Sequence, residues 1–385
     1  NTSGVAIGNG WLVDITAPTL PTGFLDGILN FSPTDFVATS DSPAMSWAAG
    51  TDVGGSGVMG YQIAIGDTLG DTNILSWTSV GDVVSTFLSS LTLTGSKRYF
   101  ANVRTIDNAG NVSSAVNGDG WWNLGKQKLA VDTSTPTVRS VSVDAYFGTS
   151  TAISEDGNTM VVGAPGDSLD ASGANYISQA GAAYVYIKSE GAWVLQQKLV
   201  ATGTNARKSG DGFGTSVGIS GETIVVGAKS QDFDSNGANL LSDAGAAYVF
   251  TRSGVIWSQQ SKLVATGTNA RIAYDNFGSS LAISGETIVV GVAFQDYDDS
   301  GAGFDDGSGA AYVFTRSGVN WSQQAKLVAT GANARMGNDN FGSSVGISGE
   351  TIVVGAPSQG YDGSGANFLS AAGAVYIFTI YRTHN

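Results

Sequence analysis

The chain has 385 residues, and its 32 acidic and 18 basic side chains give a formal charge of −14. This acidic balance disfavours nucleic acid and anionic membrane surfaces as partners, because both require a basic footprint. No apolar run approaches the length of a membrane span, and the absence of cysteine excludes disulfides, thiolate metal sites and cysteine nucleophiles. The 54 glycines and 7 prolines indicate an ordered, turn-rich protein, long enough for two or three domains.

The first residues resemble a stretch that recurs further along the chain. NTSGVAIGNGW (1–11) and NVSSAVNGDGW (111–121) both open on Asn and place Gly before Trp. Since tandem modules repeat at a fixed spacing, we predict that 1–18 is the tail of a preceding module with its linker. Chance similarity in a glycine-rich linker is the alternative. The chain opens on Asn1 without a signal-peptide pattern, which favours a fragment of a longer secreted protein.

Residues 19–120 are predicted to form an antiparallel β-sandwich. Segments rich in β-branched and aromatic residues are separated by turn residues at the spacing of such a fold. These segments are AMSWAAG (44–50), GYQIAIG (60–66), NILSWTSVG (73–81), STFLSSLTL (85–93) and RYFANVRTI (98–106). They resemble a fibronectin type III domain of the bacterial kind, in which Trp47 and Tyr61 would be inward aromatic residues. The resemblance implies a spacer, or stalk, without a ligand of its own.

The second part of the chain contains four copies of one repeat. FGSSVGISGETIVVGA (341–356) has close copies that begin at Phe277 and Phe213 and a more divergent copy that begins at Phe147, at spacings of 64, 64 and 66 residues. Each copy has strand-like segments and no helical period, and each is predicted to form a four-stranded antiparallel blade. Runs such as TIVV are apolar on both faces, which is typical of sheets covered on both sides.

An outer-strand motif, Trp followed by Lys-Leu, predicts how the blades close. It follows the first three copies at 193–199, 257–263 and 321–327, whereas the fourth copy has none before Asn385. A spare copy, WWNLGKQKLAV, stands at 121–131. We predict that the strand around Lys128–Leu129 completes the last blade, so that residues 121–385 form a closed four-bladed β-propeller. Closure would remove the exposed sheet edges of an open array.

The repeat contains the motifs FG and GAP, as in Phe341-Gly342 and Gly355-Ala356-Pro357, and resembles the FG-GAP family. The resemblance implies a β-propeller, like the head of the integrin α-subunit, and a role in adhesion. The better-known propellers of the family have seven blades, so four blades are an inference from the closure argument. The family's calcium sites lie in the turn between the first two strands; that turn is only SGET here, and we assign no calcium ligands to it.

Acidic residues cluster instead in the loop between the second and third strands of each copy. One Asp recurs in all four loops, at Asp170, Asp234, Asp298 and Asp362, and is predicted to build the turn by binding backbone N–H groups. Another precedes each FG pair, at Asp144, Asp211, Asp275 and Asp339, and is predicted to be a turn or cap. No cofactor is predicted: a solvated turn is favoured, and the alternative is calcium. Its predicted ligands, oxygen groups of the second loop, are Asp232, Asp234, Asn236 and Asp243.

Aromatic side chains in the same loops are candidate ligand-binding residues. Equivalent loops of a propeller emerge on one face, and flat rings beside carboxylates and amides suit sugar recognition. The candidates are Phe233, Tyr297, Tyr361, Tyr176, Phe304 and Phe368. The alternative is that half of them only fix the long loops. The Lys of each outer strand is predicted to lie over an aromatic face.

The sequence favours recognition over catalysis. The single histidine, His384, lies in the last residues, so we predict no enzyme activity and no catalytic residues, although a carboxylate-based carbohydrate-active enzyme stays open. The two resemblances together indicate a bacterial surface adhesin or fibre-tip module, extracellular and not inserted in a membrane. Its partner would be a surface glycan or protein on another cell, and a homotrimer within a fibre is left open. The alternative is a structural spacer without ligand.

Overall fold

A computed structural model describes residues 5–8, 11–27, 36–37, 43–88, 91, 93, 97–118, 120–123, 144–189 and 192–380. All regular elements among them are β-strands. The chain divides into two compact units, Asn1–Lys128 and Leu129–Asn385. Within the described ranges there is no helix long and apolar enough to cross a membrane.

The described residues of the first unit form eleven strands. They are β1 (Val5–Gly8), β2 (Trp11–Asp14), β3 (Thr22–Gly27), β4 (Phe36–Val37), β5 (Ala44–Ala48), β6 (Val58–Gly66), β7 (Leu75–Gly81), β8 (Ser85–Phe87), β9 (Lys97–Asp107), β10 (Val116–Asn117) and β11 (Trp121–Asn123). The five segments predicted as strands from the sequence contain β5, β6, β7, β8 and β9, which confirms a strand in each. In the segment predicted over 85–93, only Ser85–Phe87 is a strand.

Two sheets of the first unit enclose one apolar core. One sheet has the order β3-β5-β8 and the other β4-β11-β9-β6-β7, with β10 also paired to β9; β1 and β2 form a separate hairpin. Trp47 and Tyr61 lie in this core as predicted, both buried, with ring centroids 5.4 Å apart. Tyr61 Oη accepts a hydrogen bond from the backbone N–H of Gly50 at 3.0 Å, so the ring buries its apolar surface while its hydroxyl stays paired.

The spare outer-strand motif begins in the first unit. Trp121 pairs with Tyr99 in the ladder of β11 with β9 and is fully buried, with the two rings 6.1 Å apart. Its first residues therefore serve the core of the first unit, which extends to Lys128. The predicted domain boundary between residues 120 and 121 stays a prediction. The predicted closing strand around Lys128–Leu129 lies outside the described residues.

In the part of the second unit that the structure describes, fifteen strands form four consecutive sheets. They are β12 (Ser150–Ile153), β13 (Thr159–Ala164), β14 (Ala182–Ser189) and β15 (Ala192–Leu199) in sheet I; β16 (Phe213–Ser220), β17 (Thr223–Ala228), β18 (Ala246–Ser253) and β19 (Ile256–Leu263) in sheet II; β20 (Ser280–Ser284), β21 (Thr287–Val292), β22 (Ala310–Ser317) and β23 (Asn320–Leu327) in sheet III; and β24 (Ser344–Ser348), β25 (Thr351–Ala356) and β26 (Ala374–Thr379) in sheet IV. Each strand pairs with the next one along the chain, in antiparallel order.

Neighbouring sheets pack face to face. The second strands of sheets II and III, TIVVGA and TIVVGV, are buried at every position because another sheet covers each side. One apolar cluster joins Val161 and Val185 of sheet I to Phe213 and Ile224 of sheet II, and equivalent clusters join sheet II to III and sheet III to IV. This explains why alternation of apolar and polar residues is lost in these runs.

The FG pair ties each sheet to the one before it. Phe213 forms an isolated parallel bridge with Gly181, and Phe277 and Phe341 repeat this with Gly245 and Gly309. Each Phe ring is buried against a Tyr of its own sheet, as Phe277 is against Tyr312 with ring centroids 5.8 Å apart. The FG motif therefore lies at the junction between neighbouring blades.

Sheet IV has one open face and, among the described residues, no fourth strand. Val375 and Ile377 of its third strand are 67% and 71% exposed, whereas their equivalents in sheet III, Ala311 and Val313, are 0% and 4% exposed. A closed four-bladed ring would cover this face with sheet I. The described residues therefore show an all-β stack of propeller-like blades whose ends do not meet, and closure is not seen in them.

Candidate functional site

The recurring acidic loops are hairpins organised by one Asp each. Asp234 Oδ1 accepts the backbone N–H groups of Asn236 and Ala238, both at 2.9 Å, and its Oδ2 accepts the side-chain amide of Asn239. Asp170 and Asp362 make the same set of bonds, and Asp298 binds the backbone of Ala302. Hydrogen bonds to the charged form lower the pKa, led by the Ala238 N–H for Asp234 and by the Ser300 hydroxyl for Asp298, to about 2 in each case. The predicted turn-building role is confirmed.

The predicted ligand-binding aromatics pair with one another across these hairpins. Tyr297 and Phe304 form a β-bridge with their rings edge-on at 5.4 Å, and Tyr361 and Phe368 do the same at 5.2 Å. The equivalent bridges join Phe233 to Leu240 and Leu169 to Tyr176. In each pair the first residue is half-buried, while Tyr176, Phe304 and Phe368 are exposed. The pairs fix the loops, and their exposed members face solvent, so the binding assignment stays a prediction.

The predicted calcium ligands of the second loop are engaged with protein groups. Asp232 Oδ1 accepts the Asp243 N–H at 2.8 Å, and Asp234 is occupied as described above. The described residues bring three carboxylates within 4.8 Å of one another at a different place, in the first unit, where Asp14, Asp52 and Asp107 meet. For the second loop, the solvated turn stays the prediction and calcium stays the alternative.

Buried polar groups lie beneath the loops at each junction. Asp211 Oδ2 accepts the Lys208 N–H at 2.6 Å and the Gln231 amide at 2.8 Å, and Asp275 repeats this with Ile272 and Gln295. Burial penalises the charged carboxylate and raises the pKa of Asp211 to about 7 and of Asp275 to about 8. The Oδ1 atoms of both are buried without a hydrogen-bond partner within the described part of the chain. These carboxylates are structural groups of the junction with unusual proton affinity.

The first repeat exchanges the two members of this pair. Ala145 stands where the other repeats have the buried Asp, and Asp167 stands where they have Gln. Asp167 accepts a hydrogen bond from Tyr184 Oη at 2.5 Å and lies 2.9 Å from Lys198 Nζ, with both charged groups buried. Asp144, predicted as the first-repeat equivalent of Asp211, is exposed instead. That alignment was wrong because Asp144 stands three residues before the Phe and not two.

The outer-strand Lys covers an aromatic ring, as predicted. Lys198 lies 5.4 Å from the ring centroid of Tyr184, and Lys262 and Lys326 repeat this over Tyr248 and Tyr312 at 5.6 and 5.7 Å. Burial lowers the pKa of Lys262 and Lys326 to about 8. The Lys-Leu motif is therefore part of the junction, and not of the loop surface.

A cleft of about 420 Å³ opens on the loop side of sheet III. It lies between the connector before β20, the β21–β22 loop and the connector before β24. Its lining combines two exposed aromatic rings, Tyr274 and Phe294, which are 63% and 51% exposed, with carboxylates and amides. The polar lining residues are Asn276, Asp296, Asp306 and Asn338. Apolar rings beside hydrogen-bonding groups are typical of small-ligand sites.

Hydrogen bonds to the backbone hold the walls of this cleft in place. Asp296 Oδ1 accepts the Gly307 N–H at 2.8 Å, and the Asn338 N–H donates to the carbonyl of Asp306 at 2.7 Å. Arg335 donates to the carbonyl of Asp296 at 2.6 Å and lies 2.5 Å from the Asp305 carboxylate. The cleft is thus built before any ligand arrives, which reduces the cost of ordering it on binding.

Tyr274 is held in a strained backbone conformation in the cleft. Its φ is 68°, in the left-handed region that a bulky side chain rarely adopts. The equivalent residues of the second and fourth repeats are Gly210 and Asn338, which tolerate this region better. Only the third repeat places an aromatic residue at this left-handed position, since the first repeat has Asp144 there. An exposed aromatic residue held under strain points to a functional role for that residue.

The sequence reasoning missed the cleft residues. Tyr274 precedes a recurring Asp and Phe294 follows β21, where the second and fourth repeats have Ser230 and Ser358. A comparison of the copies position by position would have found both, because each replaces a small or polar residue by an aromatic one. The buried Gln of each junction was likewise overlooked, since its partner Asp lies 20 residues away.

Comparison with known proteins identifies the repeat. Residues 193–250, 257–314 and 321–378 match the FG-GAP repeat profile. These three stretches are FG-GAP repeats. Each begins at the Trp of an outer strand and ends in the third strand of the following sheet, so one FG-GAP match spans a junction between blades.

Other similarities are partial. A stretch of 159 residues is 33% identical to Exoglucanase B of Cellulomonas fimi, and it covers 39% of this chain but only 12% of that protein. TolB of Acinetobacter baumannii is 11% identical with a TM-score of 0.29, over 89% of this chain and 67% of that one. A rhamnogalacturonan lyase of Bacillus licheniformis is 12% identical with a TM-score of 0.32, over 88% and 58%. The chain thus spans about an eighth of the curated relative's length, and both TM-scores are too low to assign a shared fold.

Proposed function

We propose that the second unit is a carbohydrate-recognition module that binds its ligand in the cleft on sheet III. The observation that carries the proposal is the pair of exposed rings, Tyr274 and Phe294, on a built cleft that also presents carboxylate and amide groups. Sugars offer apolar C–H faces for stacking and hydroxyls for hydrogen bonding. We favour this cleft over the aromatic residues predicted from the sequence, because those residues pair with one another across their hairpins.

The acidic character of the protein limits the ligand class. With a net charge of −14 and acidic residues in the cleft, an anionic polymer would be repelled over the whole surface. A neutral or amino-bearing glycan fits this charge better. The relative named Exoglucanase B is supporting context for a carbohydrate ligand, although the chain covers only a small share of that protein.

We further propose that the module acts outside the cell, as the recognition part of a bacterial adhesin or fibre tip. In this proposal the first unit is the fibronectin type III-like stalk, and its two-sheet sandwich is consistent with that role. A module with no ligand is the alternative. It predicts no saturable binding by the cleft.

A fourth, outer strand of sheet IV, supplied by the segment around Lys128–Leu129, remains a proposal about the fold. A groove of about 710 Å³ is lined by residues of sheets III and IV, including Gln324, Leu327 and Phe378 of β26, whose outer edge has no partner strand among the described residues. An added outer strand would fit along this edge, as β23 does in sheet III. Deletion of residues 124–131 is expected to lower the melting temperature if that segment supplies the strand.

A glycan-array screen of the full chain tests the function. The expected result is saturable binding to a neutral or amino-bearing glycan that Tyr274→Gly abolishes. Silence of the folded chain across the array would reject the proposal. The same glycans are incubated with the protein and analysed for cleavage products, because Asp296 and Asp306 line the cleft and paired carboxylates can cleave glycosides. Products that disappear in Asp306→Asn would favour the enzyme alternative.

A further inference from the structure

One face of sheet IV is open, whereas the equivalent faces of sheets I, II and III are each covered by the next sheet. At the equivalent positions of the earlier sheets, the side chains are almost completely buried by the next sheet. In sheet III they are Val289, Ala311 and Val313, exposed by 0%, 0% and 4%; in sheet IV they are Val353, Val375 and Ile377, exposed by 38%, 67% and 71%. An apolar sheet face of this kind marks an interaction surface.

The sheet IV face also keeps the polar features of a junction. At each internal junction a Ser hydroxyl donates to the carbonyl of the next FG glycine. The pairs are Ser150 with Gly214 at 2.8 Å, Ser216 with Gly278 at 2.7 Å and Ser280 with Gly342 at 2.7 Å. Ser344 occupies this position in sheet IV and is exposed.

Gly355 of sheet IV is also a residue typical of a junction between sheets. Cβ atoms on Gly163, Gly227 and Gly291 would lie 2.0–2.1 Å from the carbonyl oxygen of the next FG glycine, so those residues must be glycine. Gly355 is the fourth member, yet the atoms nearest to its Cβ position all belong to Ser344. Within the described part of the chain, nothing from another sheet explains this glycine. It fits a neighbour that would approach as closely as Gly342 approaches Gly291.

Sheet I carries the complementary half of the same junction. Its first strand holds Thr151 and Ile153 where sheet II has Val217 and Ile219, which cover sheet I. Ile219 is 8% exposed, whereas Ile153 is 55% exposed. Sheet I therefore exposes the kind of face with which sheet II covers sheet I. At the other end of the stack, sheet IV exposes the kind of face that is covered in sheets I to III.

We infer that the open face of sheet IV binds sheet I of a second copy of this chain, head to tail. Sheets I and IV of one chain do not cover each other, since Ile153 and Ile377 are both exposed. A second copy offers the matching surface, and the contact would continue the packing that already joins the four sheets. A head-to-tail contact uses two different surfaces, so it either closes into a ring of copies or extends as a filament.

The test is sedimentation velocity of the full chain over a concentration series, with variants on each face. The wild type is expected to associate reversibly, and Ile377→Glu and Ile153→Glu are each expected to weaken association by about tenfold or more, since each buries an unpaired charge. Val255→Glu is the matched control, because Val255 is also 71% exposed but lies away from both faces, in the β18–β19 turn.

Mixing the two variants identifies the geometry. Each retains one intact face, so a mixture is expected to form a dimer that grows no further, while either variant alone stays monomeric. A wild type that is monomeric at every concentration would overturn the inference. So would association that Ile153→Glu leaves intact, which would mean that two sheet IV faces meet. A monomeric wild type whose melting temperature Ile377→Glu lowers would show that the face is covered within one chain.

Discussion

A Cβ atom on Gly291 would lie 2.0 Å from the carbonyl oxygen of Gly342 in the next sheet. Gly291→Ala is therefore expected to force sheets III and IV apart, at a cost of about 1–3 kcal/mol in the free energy of unfolding. Gly355→Ala meets the same kind of Ser hydroxyl but, among the described residues, no backbone of another sheet, and it is expected to leave the free energy of unfolding nearly unchanged. Denaturant unfolding of both variants checks this pair. Equal destabilisation would show that the backbone contact is not what excludes alanine.

The Asp–Gln exchange in the first repeat predicts a compensating double variant. Asp167→Gln leaves Lys198 buried without its ion pair and is expected to lower the free energy of unfolding by about 3 kcal/mol or more. Adding Ala145→Asp restores a carboxylate in the arrangement of the other repeats and is expected to recover at least part of the loss. A double-mutant cycle by denaturant unfolding measures the coupling. Additive losses would contradict the equivalence of the two arrangements.

Stability is predicted to fall as the pH rises through neutrality. Burial raises the pKa of Asp211 to about 7 and of Asp275 to about 8, from 3.8 for a solvated carboxyl. Between these limits the folded state binds more protons than the unfolded state, so the free energy of unfolding decreases with pH. The stabilising contribution is complete below about pH 4 and lost above about pH 8.

The double variant Asp211→Asn/Asp275→Asn is expected to flatten this dependence. Thermal unfolding from pH 5 to pH 9 measures it, and Asp299→Asn, at an exposed site, is the control. An unchanged slope in the double variant would assign the pH dependence to other groups.

Calcium is expected to change stability little. The oxygens of Asp234 in the second loop are engaged by N–H groups of the same loop. Thermal unfolding with millimolar calcium and with a chelator checks this, since a bound ion stabilises the folded state. A rise of several degrees that Asp234→Ala abolishes would place calcium at the predicted loop.

The repeat architecture could be predicted from the sequence, because nearly the same residues recur at every junction between sheets. TIVVGA predicted a strand covered on both sides, and the FG pairs predicted the positions of the blades. The FG-GAP matches include three of the four FG pairs, those at Phe213, Phe277 and Phe341. Whether the first and last sheets meet could not be predicted from the sequence. The Trp of the spare motif, Trp121, suits either an outer strand or a sandwich core, and the structure buries it against Tyr99. The cleft was missed because Tyr274 and Phe294 are 20 residues apart and converge only through the fold.

Tyr274→Gly is predicted to separate stability from binding. Glycine occupies the equivalent position in the second repeat, Gly210, so the change relieves backbone strain of about 1–3 kcal/mol. The variant is expected to be at least as stable as the wild type while it loses the glycan. A less stable variant would show that the ring is needed for folding.

The most direct test of the recognition proposal is calorimetric titration of the glycan found on the array into wild type and Phe294→Ser. Serine stands at the equivalent positions 230 and 358, so the fold is expected to tolerate it. Loss of the stacking ring is expected to raise Kd about tenfold or more. Phe368→Ser, at an exposed ring on the β25–β26 loop outside the cleft, is expected to leave Kd unchanged. Equal affinity of wild type and Phe294→Ser, or loss of binding in Phe368→Ser alone, would contradict the cleft on sheet III as the binding site.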